Sequence, residues 1–414
     1  MLSLQTFIIE AASEEKLTHL EHAEDHVINS GEEGFTHAFH NLEDVKDQIQ
    51  GKKNSTKVTT KYDGSPSIVF GHHPETGKFF VASKSAFNKN PKLNYTHEDI
   101  EANHGHAPGL VLKLKHALEH LPKVTPPKGV YQGDVMHSGG IKSESNPHGD
   151  VMDDGGKYHF KPNTITYSTP KGSAEGKKMA KSKFGVAIHT SYEGSTLENM
   201  KAQYGADISH FKSHPDVHTI SVVEGGDHAK MSPDQEHTYN HHIKQATELF
   251  KQTPKKAYAI LKGKVIGKKA DGEDKYEHEH HIDHLKTYIN STVRDGTKPS
   301  VDGYHAQLKQ KHLREIAKVK TAKSIGAKTD KMNDDLKHIM SNKKHFESIL
   351  NMHHHLQQAK DQLVHTLSDK PRFEHTINGA KTKPEGFVVV RNNRPTKLVD
   401  RADFSRANFA ARPR

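Results

Sequence analysis

Lys61-Tyr62-Asp63-Gly64 lies between two extended runs, Lys57-Val58-Thr59-Thr60 and Ser67-Ile68-Val69-Phe70. That setting makes Lys61 the chain's candidate for a covalent catalyst, an amine presented between strands. A free lysine titrates near ~10.4, so about one molecule in 2,500 is an unprotonated nucleophile at neutral pH. A site that uses such an amine must gather cations around it, because each pKa unit of depression requires about 1.4 kcal/mol. Further segments carry suitable groups. Lys383-Pro384-Glu385-Gly386-Phe387-Val388-Val389-Val390 supplies an acid and is followed by Thr396-Lys397-Leu398-Val399-Asp400. Gly129-Val130-Tyr131-Gln132-Gly133-Asp134-Val135 is strand-like and runs into a second acid, and Ser83-Lys84-Ser85 adds a cation after another extended run. Each position also has a plainer reading. Lys-x-Asp-Gly between strands is an ordinary hairpin turn, Glu385 a strand opener, and Lys397 a solvated lysine that discourages edge pairing.

In this order the segments resemble the covalent nucleotidyltransferase superfamily of polynucleotide ligases and capping enzymes, over residues 57–225 and 371–414. Lys61 matches the lysine that becomes nucleotidylated, within a K-x-D-G signature whose Asp63 and Gly64 join the nucleotide-binding set. Lys84 looks like the basic residue of the next motif, where arginine is usual. Gly133-Asp134 is similar to the third motif, with aspartate for the common glutamate, and Glu385-Gly386-Phe387-Val388 looks like the fourth. Lys397 fits the first lysine of the fifth motif, while Val399 stands at the second, which leaves one phosphate contact unassigned. The resemblance implies ATP as cofactor with Mg2+, or Mn2+ in its place, held through oxygen by Asp134 and Glu385. It also implies Lys84 and Lys397 on phosphate oxygens. Lys61 would accept AMP with release of pyrophosphate and pass it to a 5′-phosphate, and a 3′-hydroxyl would then displace AMP. The base-stacking aromatic has no clear match; the strand over 184–192, with Ile188 and His189 central, occupies its place. Only 17 residues follow Lys397, so no C-terminal oligonucleotide-binding (OB) barrel is expected, which points to an RNA-ligase-like branch. The alternatives are adenylyl transfer to a protein or small-molecule acceptor, and a non-catalytic internal virion protein that binds nucleic acid.

The elements that must position these residues give an expected α+β fold class: a ligase-type nucleotidyltransferase core of antiparallel sheets with flanking helices, plus an inserted α-helical domain. The spacing of Leu17, Leu20, Phe35, Phe39, Leu42, Val45 and Ile49 predicts a helical segment over 13–50, broken at Gly31 and Gly34. Residues 51–232, the first part of the core, read as strands at 58–60, 67–71, 78–82, 131–136, 158–166, 185–190 and 220–223, with one helix at 109–121. The long polar stretch 136–157 is expected to be a lid or a disordered loop. Ser232-Pro233, an N-cap followed by a first-turn proline, opens a helical insertion over 233–370. Its expected helices are 234–253, 275–294, 303–324 and 330–367, the last broken near Asn342. Residues 371–414 then complete the core.

Composition narrows the class. At 414 residues the chain is long enough for two or three domains, and 32% hydrophobic against 27% charged residues requires a very polar surface. The absence of cysteine excludes disulfides, thiolate nucleophiles and zinc sites built on sulfur. No apolar run nears the ~20 residues that span a bilayer, so no membrane partner is expected. The net charge of +9, with lysines gathered over 251–269 and 309–328, suits a polyanion. Nucleic acid, RNA before DNA, is the expected partner, and a solvated bundle face is the plainer account of the same lysines. Histidine is abundant, at 36 residues. His278, His280, His281 and His284 include pairs three and four apart that can share a metal from one helix face, and His353-His354-His355 form another cluster. No carboxylate stands in an H-E-x-x-H register, so these histidines read as polar-surface composition. Leu4 to Ala12 resembles the capsid-targeting leaders of internal head proteins in large tailed phages, cut after a glutamate, here Glu10. The expected leader is 1–12, and the expected location the virion interior or the bacterial host cytoplasm.

Overall fold

The computed structural model describes residues 20–223, 230–270 and 272–401, so the expected leader lies outside the described residues. The chain is mixed α and β, with several sheets and no closed barrel among the described residues. A 3-10 turn at Ala23–Asp25 leads into α1 (His26–Ile49), then β1 (Lys57–Thr60), β2 (Ser67–His72), β3 (Phe79–Ala82), α2 (His97–His104) and α3 (Pro108–His120). Next come β4 (Val130–Ser138), β5 (Met152–Asp153), β6 (Lys157–Phe160), β7 (Thr166–Pro170), α4 (Ala174–Met179), β8 (Phe184–Glu193), β9 (Lys201–Tyr204) and β10 (Val217–Ser221). The helical stretch holds α5 (Pro233–Gln252), α6 (Lys255–Lys262), the hairpin β11 (Val265–Lys268) and β12 (Asp274–Tyr276), α7 (His280–Asp295), α8 (Val301–Ala317), α9 (Ala322–Ser341) and α10 (Lys343–Leu367). The described chain closes with β13 (Glu374–Ile377), β14 (Ala380–Thr382), β15 (Phe387–Arg391) and β16 (Arg394–Leu398). Among the described residues no helix is long and apolar enough to cross a membrane.

Three sheets carry the architecture. The first has the order β1-β15-β16, all antiparallel, so that the strand before Lys61 lies beside the strand after Glu385-Gly386, with Thr60 opposite Phe387. The second has the order β10-β8-β4-β2-β3, with β9 also on β8, and only the β10–β8 pair is parallel. The third runs β14-β13-β7-β6-β5. Period-2 alternation explains the second sheet. Ile68 and Phe70 turn to one face, where Val111, Leu114, Ala117 and Leu121 of α3 and its following turn cover them, while Val69 turns to the other with Phe80 and Tyr192.

The helices do not keep a core to themselves. Val27, Phe35, Leu42 and Val45 of α1 join Leu350, Leu356 and Leu363 of α10, and the same apolar cluster takes in Val58, Phe387, Val389 and Leu398 of the first sheet. The boundary expected at residue 233 therefore does not separate two cores. A buried ionic network reinforces this junction. Lys360 Nζ of α10 stands 2.8 Å from Glu24 Oε1, Arg401 Nε stands 3.0 Å from the same oxygen, and Arg401 also pairs with Asp25, which His353 reaches at 2.9 Å.

Local departures from expectation have local causes. The stretch 136–157 is folded: β4 runs on to Ser138, and the Asn146 amide donates to the carbonyls of Gly139 and Ile141 at 2.7 and 2.9 Å. The strand expected at 158–166 is the β6–β7 hairpin, turned at Pro162-Asn163. The helix expected from 275 starts at His280, because Val265 and Ile266 draw the preceding residues into β11–β12. The helix expected over 303–324 ends at Ala317, and α9 begins anew where Thr321 accepts a capping bond from the Ser324 N–H at 3.2 Å. The break near Asn342 separates α9 from α10.

Candidate active site

Lys61-Tyr62-Asp63-Gly64 is not a hairpin turn. β1 pairs with β15, whereas β2 pairs with β3 and β4, so residues 61–66 cross from the first sheet to the second. Each residue of the crossing is held by a different neighbour. The Lys61 N–H donates to the Gly386 carbonyl at 2.9 Å. Tyr62 is buried against Tyr167 and Phe373 of the third sheet's core, a contact that stabilises by about 1.5–3 kcal/mol. The Asp63 carboxylate accepts from Asn163 Nδ2 at 2.8 Å and from the N–H groups of Thr164 and Ile165 at 2.8 and 3.0 Å. Asp63 thus fastens the crossing to the β6–β7 turn. At Gly64 a Cβ would stand 2.5 Å from the Asp134 Cβ and 3.0 Å from Met136 Sδ, so glycine lets the crossing lie against β4.

The Lys61 Nζ meets Glu385 Oε1 in a short ion pair. Its geometry follows from the backbone: Gly386 has φ 143°, and a Cβ there would stand 2.5 Å from the Leu398 carbonyl oxygen. The Glu-Gly pair therefore turns tightly over β16 and leaves the carboxyl facing the amine. Glu385 Oε2 is buried without a hydrogen-bond partner among the described residues.

Lys61 lines two cavities. One, of about 240 Å³, is lined by Lys84, Asp134, His189, Thr190 and Tyr204 together with Val222, Val388 and Val390. The second, of about 570 Å³, opens toward the helices and is lined by Glu385, Lys397, Arg401 and Val399 with Asn290, Arg294 and Gln307. The structure thus brings all the expected charged residues except Asp63 to cavities that meet at Lys61, but it divides them. Lys84 and Asp134 belong to the first, Glu385 and Lys397 to the second, so the two carboxylates expected to share a metal do not line a common cavity.

Electrostatics follow the burial. Desolvation pushes the Glu385 carboxyl above its ordinary range, more than the adjacent Lys61 ammonium pulls it down. Lys397, on β16, has its ammonium disfavoured by burial and then by Lys61. Asp134 Oδ1 lies 3.7 Å from His189 Nε2.

Two residues of the site escaped the sequence. Arg401 supplies a buried cation to the second cavity, two positions beyond Val399, and no local pattern marks it. Tyr204 lies at the end of β9, which was not expected as a strand; it lines the first cavity together with His189 and Tyr62, the aromatic rings that the described residues bring there.

Residues 17–412 match the family described as Family of unknown function (DUF6267), and the chain belongs to that family. No curated protein and no solved structure matches the chain.

Proposed function

We propose that this member of the DUF6267 family is an ATP- and magnesium-dependent nucleotidyltransferase with a ligase-type core, which carries AMP on Lys61 and joins the 5′-phosphate and 3′-hydroxyl ends of RNA. The observation that carries this reading is the Lys61–Glu385 pair, fixed by adjacent strands where two cavities meet. The Lys61 nitrogen forms a bond to the α-phosphorus of ATP, the bond from that phosphorus to the bridging oxygen breaks, and pyrophosphate leaves with the electron pair. The proton shed by the amine passes to Glu385 Oε1, the oxygen that faces it. An RNA 5′-phosphate oxygen then attacks the same phosphorus, the N–P bond breaks, and the amine regains its proton. A 3′-hydroxyl oxygen finally attacks the 5′-phosphorus, the bond from that phosphorus to the AMP oxygen breaks, and AMP leaves as the hydroxyl proton passes to solvent.

The first cavity, which combines the apolar Val222, Val388 and Val390 with Lys84 and Asp134, suits a nucleoside with its α-phosphate at Lys61. The second gathers Lys397, Arg401 and Arg294, cations that suit the departing pyrophosphate and the arriving 5′-phosphate. Glu385 Oε2, buried and without a hydrogen bond among the described residues, fits a hard divalent ion bound through oxygen, which would neutralise phosphate charge.

Incubation with Mg2+ and ATP labelled at the α-phosphate, followed by a denaturing gel, is expected to give a labelled band. The band should vanish in Lys61→Ala and persist in Lys53→Ala, an exposed lysine. No label with any divalent ion tried overturns the enzymatic reading and leaves the nucleic-acid-binding virion protein. Label that transfers to neither 5′-phosphorylated RNA nor DNA redirects the acceptor to a protein or small molecule.

A further inference from the structure

A second constellation, outside the site around Lys61, centres on one buried carboxylate. Asp335 of α9 is 1% exposed, and imidazoles from three other parts of the chain converge on it. His278, in the turn between β12 and α7, places Nδ1 3.1 Å from Asp335 Oδ1; His280 and His281, in the first turn of α7, place Nε2 3.0 and 3.8 Å from the same oxygen. We propose that His278, His280, His281 and Asp335 bind a zinc-class transition-metal ion that fastens the β11–β12 hairpin and α7 to α9.

The spacing is that of a coordination shell. Four donors about 2.0–2.1 Å from a tetrahedral ion stand about 3.4 Å from one another, and the three nitrogens bracket that value around Oδ1. The four ligand atoms all lie within 4.8 Å of one another. A hydrogen-bonded cluster would account for the same distances only if its donors pointed at acceptors, and most do not. Of the three contacts to Oδ1, only that of His278 has hydrogen-bond geometry; His280 Nε2, His281 Nε2 and Asp335 Oδ2 are buried and make no hydrogen bond among the described residues, charged neighbours notwithstanding. Buried polar groups that make no hydrogen bond are unfavourable, and metal ligation removes that cost for the nitrogens.

The surrounding groups orient the ligands. The Tyr304 hydroxyl of α8 bonds His281 Nδ1 at 2.6 Å, which leaves Nε2 to face the centre, and Asp334 Oδ2 lies 3.8 Å from His278 Nε2. His312 Nε2 of α8 stands 3.0 Å from Asp335 Oδ2 and steadies the carboxylate that Oδ1 presents. Lys331 Nζ, 3.7 Å from the same Oδ2, is on the solvent side with a side chain 55% exposed, so it can swing away as a divalent ion enters. Three imidazoles and one carboxylate favour zinc, cobalt or nickel over the oxygen-seeking Mg2+ and Ca2+. Four protein ligands with no open position make the site structural rather than catalytic.

The test uses the full chain, stripped with a chelator and titrated with Zn2+ against a chromophoric competitor. One tight equivalent per chain is expected, with Co2+ in its place giving the visible absorption of a tetrahedral ion. His281→Ala and Asp335→Asn should weaken that equivalent at least 10-fold, the scale on which metal-site substitutions act. His242→Ala, at a separate pair where His242 Nδ1 lies 2.8 Å from His355 Nδ1, should leave it unchanged. Where a core variant fails to fold, His280→Ala, at a side chain 25% exposed, carries the same comparison. Absence of a tight equivalent, its survival in His280→Ala, its loss in His242→Ala, or an octahedral cobalt spectrum overturns the proposal. The readout is metal content, so it stands or falls apart from AMP transfer to Lys61.

Discussion

At the scale of single residues, Gly386 is the position on which the Lys61–Glu385 pair turns. Gly386→Ala must push a Cβ against the Leu398 carbonyl and hold a left-handed φ, a strain on the order of 1–3 kcal/mol. A fall of that size in urea-unfolding stability is expected, together with loss of AMP labelling; an unchanged midpoint would show that the strand is not held as described. Glu385 offers the opposite balance. Its folded pKa lies above the unfolded one, so the folded chain binds this proton more tightly and stability falls as pH rises above the ordinary glutamate range of ~4.3. Glu385→Gln is therefore expected to leave the melting temperature equal or higher at pH 7 while reducing labelling at least 10-fold, the scale of a lost general base. A marked drop in melting temperature would contradict this. Lys61, Glu385 and Lys397, which line one cavity, were legible as candidates in the sequence because they sit in short patterns. Asp335 was not, since it lies 54 positions beyond His281 and only the turn from α8 into α9 brings it back.

At the scale of elements, the strands around Lys61 were legible from β-branched runs, but their partners were not. Asp and Gly after Lys61 are the residues of a hairpin turn, and turn chemistry is local, whereas the choice of β15 over β2 as the neighbour of β1 is made by packing some 330 residues away. The helices were legible from their apolar spacing, and the place where they bury it was not. α10 is the clearest case. Leu356 is fully buried in a cluster shared by α1, the inserted helices and the first sheet. Leu356→Ala is expected to cost about 2–5 kcal/mol of the stability of that shared core. With 12 tyrosines and no tryptophan, the check is urea unfolding followed by tyrosine fluorescence and far-ultraviolet circular dichroism together. Coincident, equally shifted transitions are expected, and a helical transition that moves alone would show that the insertion folds by itself.

At the scale of the whole molecule, the network of Glu24, Asp25, Lys360 and Arg401 joins the first described turn, α10 and the last described residue. Burial pushes the Glu24 carboxyl up, but the Lys360 and Arg401 cations outweigh it and hold the group at about 2. A carboxyl whose folded pKa is depressed contributes stability above its unfolded value, and that contribution is lost as pH falls from ~4.3 toward 2. Acid unfolding in that window is expected to be steeper in the native chain than in Glu24→Gln; parallel curves would remove Glu24 from the account. Lys360→Met should cost about 3–5 kcal/mol at neutral pH by stranding Glu24, and the Glu24→Gln, Lys360→Met pair should recover part of that loss. Urea midpoints of the three variants measure both. The meeting of two cavities at Lys61 sets a different kind of limit, one of traffic. The amine stands in a doorway, not at the bottom of a well. Under the proposed function, a group tethered there would stay berthed on the sheet side while its visitors came and went on the helical side, so that unloading would need no rotation of the cargo and no second passage through the entrance that admitted it.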